Sequence, residues 1–492
     1  MPSPAHHLRS PATNERVRQF AAQALSRTAG APLIGGNSVD LLIDAQRNFD
    51  AWHAAIRQAR HSIFLENYIF RDDDVARAFR DALVERAESG VSVHVIRDWL
   101  GCLGQSPHRF WKPLIDAGGQ VRTYNPPNLA SPFGWLSRDH RKLLIVDTTA
   151  GFVSGICVSA KWLGDESQGV PPWRDTGVAI RGPALGELIE SFEHSWQGLG
   201  GPLDLSALGP LDALPSVGDV DLRVVATIPN AAGLYRMDHM IAAMATKRLW
   251  LTDAYFVGIA PYLQALISAS DDGVDVRLLV PGSSDIPALG GLSRAGYRPL
   301  LEAGVRVFEW NGSMLHAKTS VADGRWARVG SSNLNLASWI GNCELDVAVE
   351  NEAFARCMEE QYERDLQNST EIVLGTRSRV RREALRTRQA RRRRHNGSSS
   401  RAAAGALRLA NTMGAAITNR RPLGPAESGS LGSAAALLAL FGVLALVWPA
   451  LIAWPLGVLA IWFAILLFRR FLKARRGPGP SPGADPCAKD DT

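Results

Sequence analysis

One short pattern occurs twice and limits what this chain can become. His-x-Lys-x4-Asp appears as His140, Lys142 and Asp147 in DHRKLLIVDTTAGFVSG, and again as His316, Lys318 and Asp323 in MLHAKTSVADGRWARVGSSNLN. In an extended strand, residues two apart share a face, so each copy aims an imidazole and an ammonium at one spot. The chain has seven lysines against 47 arginines, yet both copies keep Lys. A compact ammonium is not interchangeable with a planar guanidinium where one oxygen must be met at a point. The surroundings repeat as well. LIDAGGQVRTYN at 114–125 is answered by LLEAGVRVFEWN at 300–311, GVSVHVIRD by GVDVRLLVP, DTGVAI from Asp175 by ELDVAV from Glu344, and HSIFLENYIF by RLWLTDAYF. The order is the same in both halves, as in a tandem duplication, which can bring two equivalent motifs together across a pseudo-twofold axis.

Local patterns fill in the halves. Apolar residues at helical spacing (Leu42, Phe49, Trp52, Ile56) predict a helix over 40–60. A buried strand at 61–70, a second helix at 72–89 and the strand VSVHVI follow. This alternation reads as α/β with a largely buried sheet. Glu66 and Tyr68 fall at a strand end, as site residues or as a capping carboxylate and a packed aromatic. Residues 1–35 read as a loose leader, 36–200 as the first half, and the Pro/Gly-rich 201–221 as a linker. The second half is 222–369, with a short helix at 237–246, a long loop at 281–297 and a closing helix at 352–368.

The phrases ENYIFRDD, DAYFV, MLHAKT and VGSSNLN, with the doubled motif, resemble the phospholipase D superfamily and within it bacterial cardiolipin synthases of the B type. The similarity covers about residues 40–369. It implies an α/β fold of two tandem phospholipase D-like α/β/α domains related by a pseudo-twofold axis. It also implies a covalent route: one imidazole attacks a phosphodiester phosphorus, the other protonates the leaving alcohol and then serves as base for the incoming one. The resemblance favours His140 as nucleophile. Lys142 and Lys318 would neutralise phosphate oxygens, with Ser331 and Asn333 donating hydrogen bonds. Asp175 and Glu344 would orient the imidazoles. Asp147 and Asp323 complete the motifs, either with the catalytic set or as braces of the motif turn. No metal or other cofactor is required. Cys157 stands where the family has Asn and Asn333 stands in the second copy, so the halves are chemically unequal, with packing as the role for Cys157. Ser283, Ser284 and Tyr297 would line a headgroup pocket or belong to a plain surface loop.

The charge is divided along the chain. Residues 1–376 hold 34 basic and 43 acidic side chains, and residues 377–492 hold 20 and 5. The five cysteines show no CxxC spacing, which predicts neither a disulfide framework nor a zinc site. The basic stretch 370–430 suits an anionic membrane surface or a nucleic acid. The uncharged run 431–468, interrupted by Pro449 and Pro455 and flanked by arginines, favours the membrane. It reads as a helical hairpin, transmembrane or re-entrant, with both ends cytoplasmic. Residues 469–492 follow as a basic, then polar tail. Together these predict a phosphatidyltransferase on the cytoplasmic side of the inner membrane, using phosphatidylglycerol, with phosphatidylethanolamine as a second candidate substrate and nucleic acid disfavoured as a partner. A hydrolase or nuclease of the same superfamily and a catalytically silent scaffold are the alternatives.

Overall fold

The computed structural model describes residues 21–127, 136–374 and ten positions between 443 and 468. Fifteen strands form one sheet: β1 (Ile34–Ile43), β2 (Ser62–Asn67), β3 (Ser92–Asp98), β4 (Gln120–Tyr124), β5 (Lys142–Val146), β6 (Ala150–Ser154), β7 (Thr176–Arg181), β8 (Val220–Thr227), β9 (Arg248–Thr252), β10 (Asp275–Pro281), β11 (Arg306–Trp310), β12 (Thr319–Ala322), β13 (Trp326–Gly330), β14 (Glu344–Glu350) and β15 (Ser369–Ile372). Reading outward from the centre, the first half runs β1-β7-β6-β5-β2-β3-β4 and the second β8-β14-β13-β12-β9-β10-β11, with β15 added at its edge. The repeat seen in the sequence is therefore a repeat of strand order. The halves are not two separate sheets, because β1 and β8 pair antiparallel and fuse them into one mixed α/β sheet.

The central strands are apolar on both faces because helices cover both. SIFLEN of β2 and KLLIV of β5 are buried at every position. The helix Leu185–Gly198 packs Leu188, Ile189 and Phe192 on one side, while Asp44–Gln58 packs Phe49, Trp52 and Ile56 on the other. Asp73 caps the helix Asp74–Glu88 by accepting from the Ala76 amide at 3.0 Å, and Asn351 caps Glu352–Gln367 in the same manner. Across the halves, Arg174 on the approach to β7 reaches that last helix and donates two 2.9 Å hydrogen bonds to Asp365.

Several expectations need correction. Residues 40–43 belong to β1, where ladder pairing with β7 overrides their helical spacing. The described part of the leader is ordered: residues 21–29 are helical, and Leu25 and Ala29 are buried against the second half. The loop at 281–297 contains a helix, Pro287–Ala295, started by a proline that suits the first helical turn. Tyr297 is buried and accepts from Ser293 at 3.2 Å, a packing role. The hairpin at 431–468 and the basic stretch lie largely outside the described residues. Among the described residues, no helix is long and apolar enough to cross a membrane.

Candidate active site

Both motifs begin just before an inner strand. His140 precedes β5 and His316 precedes β12, each in a connection that crosses to the opposite half. The His140 amide donates to Cys343 O at 2.8 Å, and the His316 amide donates to Arg174 O at 2.7 Å. These crossings bring the carboxylates with them. His316 Nδ1 lies 2.7 Å from Asp175 Oδ2, and His140 Nδ1 lies 2.9 Å from Glu344 Oε2. Each half therefore orients the imidazole of the other. Lys142 Nζ donates to its own His140 carbonyl at 2.5 Å, and Lys318 Nζ to that of His316. Tyr68 lies under Lys142 and beside His140, and Tyr255 takes the matching position by Lys318 and His316.

The two carboxylates are braced differently. Glu344 Oε2 accepts from Ser331 Oγ at 2.6 Å, so this hydroxyl, expected on a phosphate, is here engaged with the carboxylate. The place of Ser331 in the first copy is Gly155, where a Cβ would stand 2.3 Å from Asp175 Oδ1. The shorter Asp175 needs that space, and Trp162 supplies a second side-chain donor through the indole N–H at 3.0 Å, beside the Thr176 amide at 2.8 Å. Sequence reasoning missed Trp162 and Trp173, whose rings wall in His316 at 5.3 and 5.6 Å. The signal was available, since aromatics cluster between SGICVSAKW and Asp175. Cys157 is buried in the apolar core of the first half, which matches packing. Asn333 is buried, and its Oδ1 has no hydrogen-bond partner among the described residues.

The motif aspartates occupy a different place. Asp147 accepts from the amides of Arg60, His61 and Ser62 at 3.0, 2.8 and 2.8 Å. Asp323 accepts from Thr246, Lys247 and Arg248 at 2.8 to 2.9 Å. Both adopt left-handed backbone, φ 51° and 53°, at the far end of the strand from the imidazoles. Each lies five residue steps from its lysine, about 16 Å at 3.3 Å per step. They brace the starts of β2 and β9. Among the described residues, no group of His, Cys, Asp and Glu side chains is arranged to hold a metal ion.

Residues 53–166 and 239–366 match the family described as "Cardiolipin synthase, PLD-like domain", one segment for each motif. The chain is 33% identical over 347 residues to cardiolipin synthase A of Pseudomonas fluorescens SBW25, spanning 68% of this chain and 70% of that one. It is 34% identical over 362 residues to cardiolipin synthase A of Pseudomonas aeruginosa LESB58, spanning 73% of each. The chain belongs to the cardiolipin synthase family. Both of these relatives carry the A designation, where the motifs had suggested B. The fold is also that of phosphatidylserine synthase from Haemophilus influenzae Rd KW20, with a TM-score of 0.55 over 72% of this chain and 91% of that one at 14% identity.

In this cardiolipin synthase family member the electrostatics follow from burial. Desolvation and the Lys318 ammonium pull His316 down to about 4, against the opposing pull of Asp175. Burial also lowers His140, with Glu344 opposing and Lys142 assisting. Burial alone would raise Asp175, yet His316 and Lys318 outweigh it and bring the carboxyl to about 2. The resting arrangement is thus a neutral His316 donating from Nδ1 to an ionised carboxylate, with the Lys318 ammonium 2.9 Å from the same ring nitrogen. Desolvation lowers Lys318 to about 8.

A stability consequence follows. A histidine held below its unfolded value takes up its proton in the unfolded chain first, so its contribution is lost as pH falls from about 6.5 toward 4. Between pH 7 and 4.5 the wild type is expected to lose about 2 kcal/mol more than His316→Gln. Urea unfolding of both proteins at the two pH values measures this, and parallel losses would refute the assignment.

Proposed function

We propose that the chain is a phosphatidyltransferase that makes cardiolipin from two phospholipids, with phosphatidylglycerol as donor. The crossed pairing of two imidazoles with Asp175 and Glu344 around Lys142 and Lys318 is the observation that supports it. One imidazole Nε2 attacks the donor phosphorus as the P–O bond to the headgroup breaks. The other imidazole enters the step as the imidazolium and gives its Nε2 proton to the departing glycerol oxygen, becoming neutral. The acceptor hydroxyl then returns a proton to that imidazole as its oxygen takes phosphorus and the P–N bond breaks. Lys142 and Lys318 balance the charge that gathers on the equatorial oxygens. His140, Lys142, His316 and Lys318 are the catalytic residues in this reading. Asp175, Glu344, Ser331 and Trp162 position them, and Asp147 and Asp323 brace the fold.

The rim of the site supports a lipid substrate. Leu103, Leu136, Leu292 and Leu336, each more than half exposed, all lie in connections at the imidazole end of the sheet. We read these exposed apolar side chains, which share one end of the sheet, as the surface that meets a bilayer. Ile115, Val217, Met244 and Val373 are exposed large apolar residues at the other end. We place the body on the cytoplasmic face of the inner membrane, with residues 431–468 as anchor and 370–430 on anionic lipid. Domain limits of 36–200 and 222–369 go with this reading.

Incubating full-length protein with phosphatidylglycerol vesicles and analysing products by mass spectrometry tests it. A four-chain lipid with one glycerol released per turnover is expected. Phosphatidic acid as sole product would make the chain a hydrolase, and no turnover would leave it a scaffold.

A further inference from the structure

A cavity of about 1110 Å³ opens beside the imidazole centre in the first half. It lies between the connections that follow β2, β3 and β6. Trp173 forms its inner wall and is the same ring that stands 5.6 Å from His316. The volume lies at the upper end of ordinary ligand pockets and exceeds what a small alcohol fills.

Its polar lining is unevenly committed. Three carboxylates border the cavity and each is already engaged. Asp73 accepts from Ser159 Oγ and the Ala160 amide at 2.9 and 2.8 Å, Asp165 from Ser167 and Gln168, and Asp72 from Arg77. The cations are less engaged. Arg71 Nε is buried without a hydrogen-bond partner, and neither Arg71 nor Arg109 forms an ion pair among the described residues. Lys161 lies over Trp173 at 4.3 Å, with Asp285 at 3.3 Å from its ammonium. A buried guanidinium N–H without an acceptor costs free energy unless a ligand satisfies it. Two unpaired arginines facing one volume suit a phosphate, which they can meet in bidentate fashion.

We propose that this cavity binds the phosphodiester of the acceptor lipid, a second anionic phospholipid with a free headgroup hydroxyl. The inference rests on the phosphatidyltransferase reading and adds where the second substrate sits. In such a lipid the phosphate and the terminal hydroxyl lie at opposite ends of a three-carbon chain. A phosphate held by Arg71 and Arg109 can therefore send its hydroxyl past Trp173 toward the imidazoles, while its acyl chains leave through the mouth by exposed Val170. Holding the acceptor by its charge also answers a kinetic need. Water competes for the phosphohistidine, and only an acceptor already in place outruns it.

The test uses full-length protein in vesicles of phosphatidylglycerol diluted in phosphatidylcholine. Arg71→Gln/Arg109→Gln is compared with wild type in three readouts: glycerol release, the ratio of four-chain lipid to phosphatidic acid, and exchange of labelled free glycerol into phosphatidylglycerol. Free glycerol is an acceptor without a phosphate. Expected are a fall of tenfold or more in the four-chain to phosphatidic acid ratio, glycerol exchange within twofold of wild type, and partial recovery in Arg71→Lys/Arg109→Lys. An unchanged product ratio overturns the proposal, and so does an equal loss of all three activities with an unchanged Tm. Absence of glycerol release from the wild type would instead refute the phosphatidyltransferase reading itself.

Discussion

His316→Ala and His140→Ala are each expected to lower glycerol release from phosphatidylglycerol by about 10⁴-fold or more. A missing nucleophile removes the covalent route, and a missing acid leaves an alkoxide to depart unprotonated; such groups act as a unit, so either loss approaches the loss of both. The fold should survive both changes. His316 and His140 contribute backbone amides to the crossing hydrogen bonds with Arg174 and Cys343, and alanine keeps those amides. Neither ring belongs to the three apolar cores. Steady-state release assays beside circular dichroism measure both claims. A well-folded variant within tenfold of wild type would end the two-imidazole mechanism.

Asp147→Ala and Asp323→Ala are expected to act on stability instead. Each carboxylate takes three consecutive backbone amides, and hydrogen bonds to a charged acceptor are worth about 1.5–3 kcal/mol apiece, less than additively. Alanine also tolerates the left-handed φ near 50° poorly, where aspartate is accommodated. A loss of about 3 kcal/mol or more, seen as a Tm lower by about 5 °C or more, should accompany near-normal kcat in the protein that remains folded. A large drop in kcat at unchanged Tm would return these aspartates to the catalytic set.

The contrast between those variants shows what the sequence could and could not disclose. His-x-Lys spacing was enough to predict that each pair meets at one spot, although His140, His316 and Lys318 lie just before their strands and not on them, and repeat order was enough to predict equivalent halves. Which carboxylate serves which imidazole was not legible, because both repeats offer one at the same place. The answer depends on β1 pairing with β8, a contact between distant segments. The resemblance implied a phosphate-donating hydroxyl at Ser331, whereas packing turns that hydroxyl to Glu344. The helix Pro287–Ala295 was hidden by its glycines, and tertiary packing holds it in spite of their low propensity. The cavity escaped notice because three separate connections build it, each unremarkable alone.

The position of β14 bears on how the molecule comes into being. This strand lies between β13 and β8, and both precede it in the chain. During synthesis those two strands emerge with a vacancy between them that only residues 344–350 can fill. Glu344, the first residue of that late strand, is also the partner of His140. A nascent or truncated chain that stops short of it holds both imidazoles but lacks the carboxylate that orients one of them. Chemical competence is thereby tied to completion of the polypeptide, and fragments produced by interrupted translation or proteolysis would carry motifs without an assembled centre.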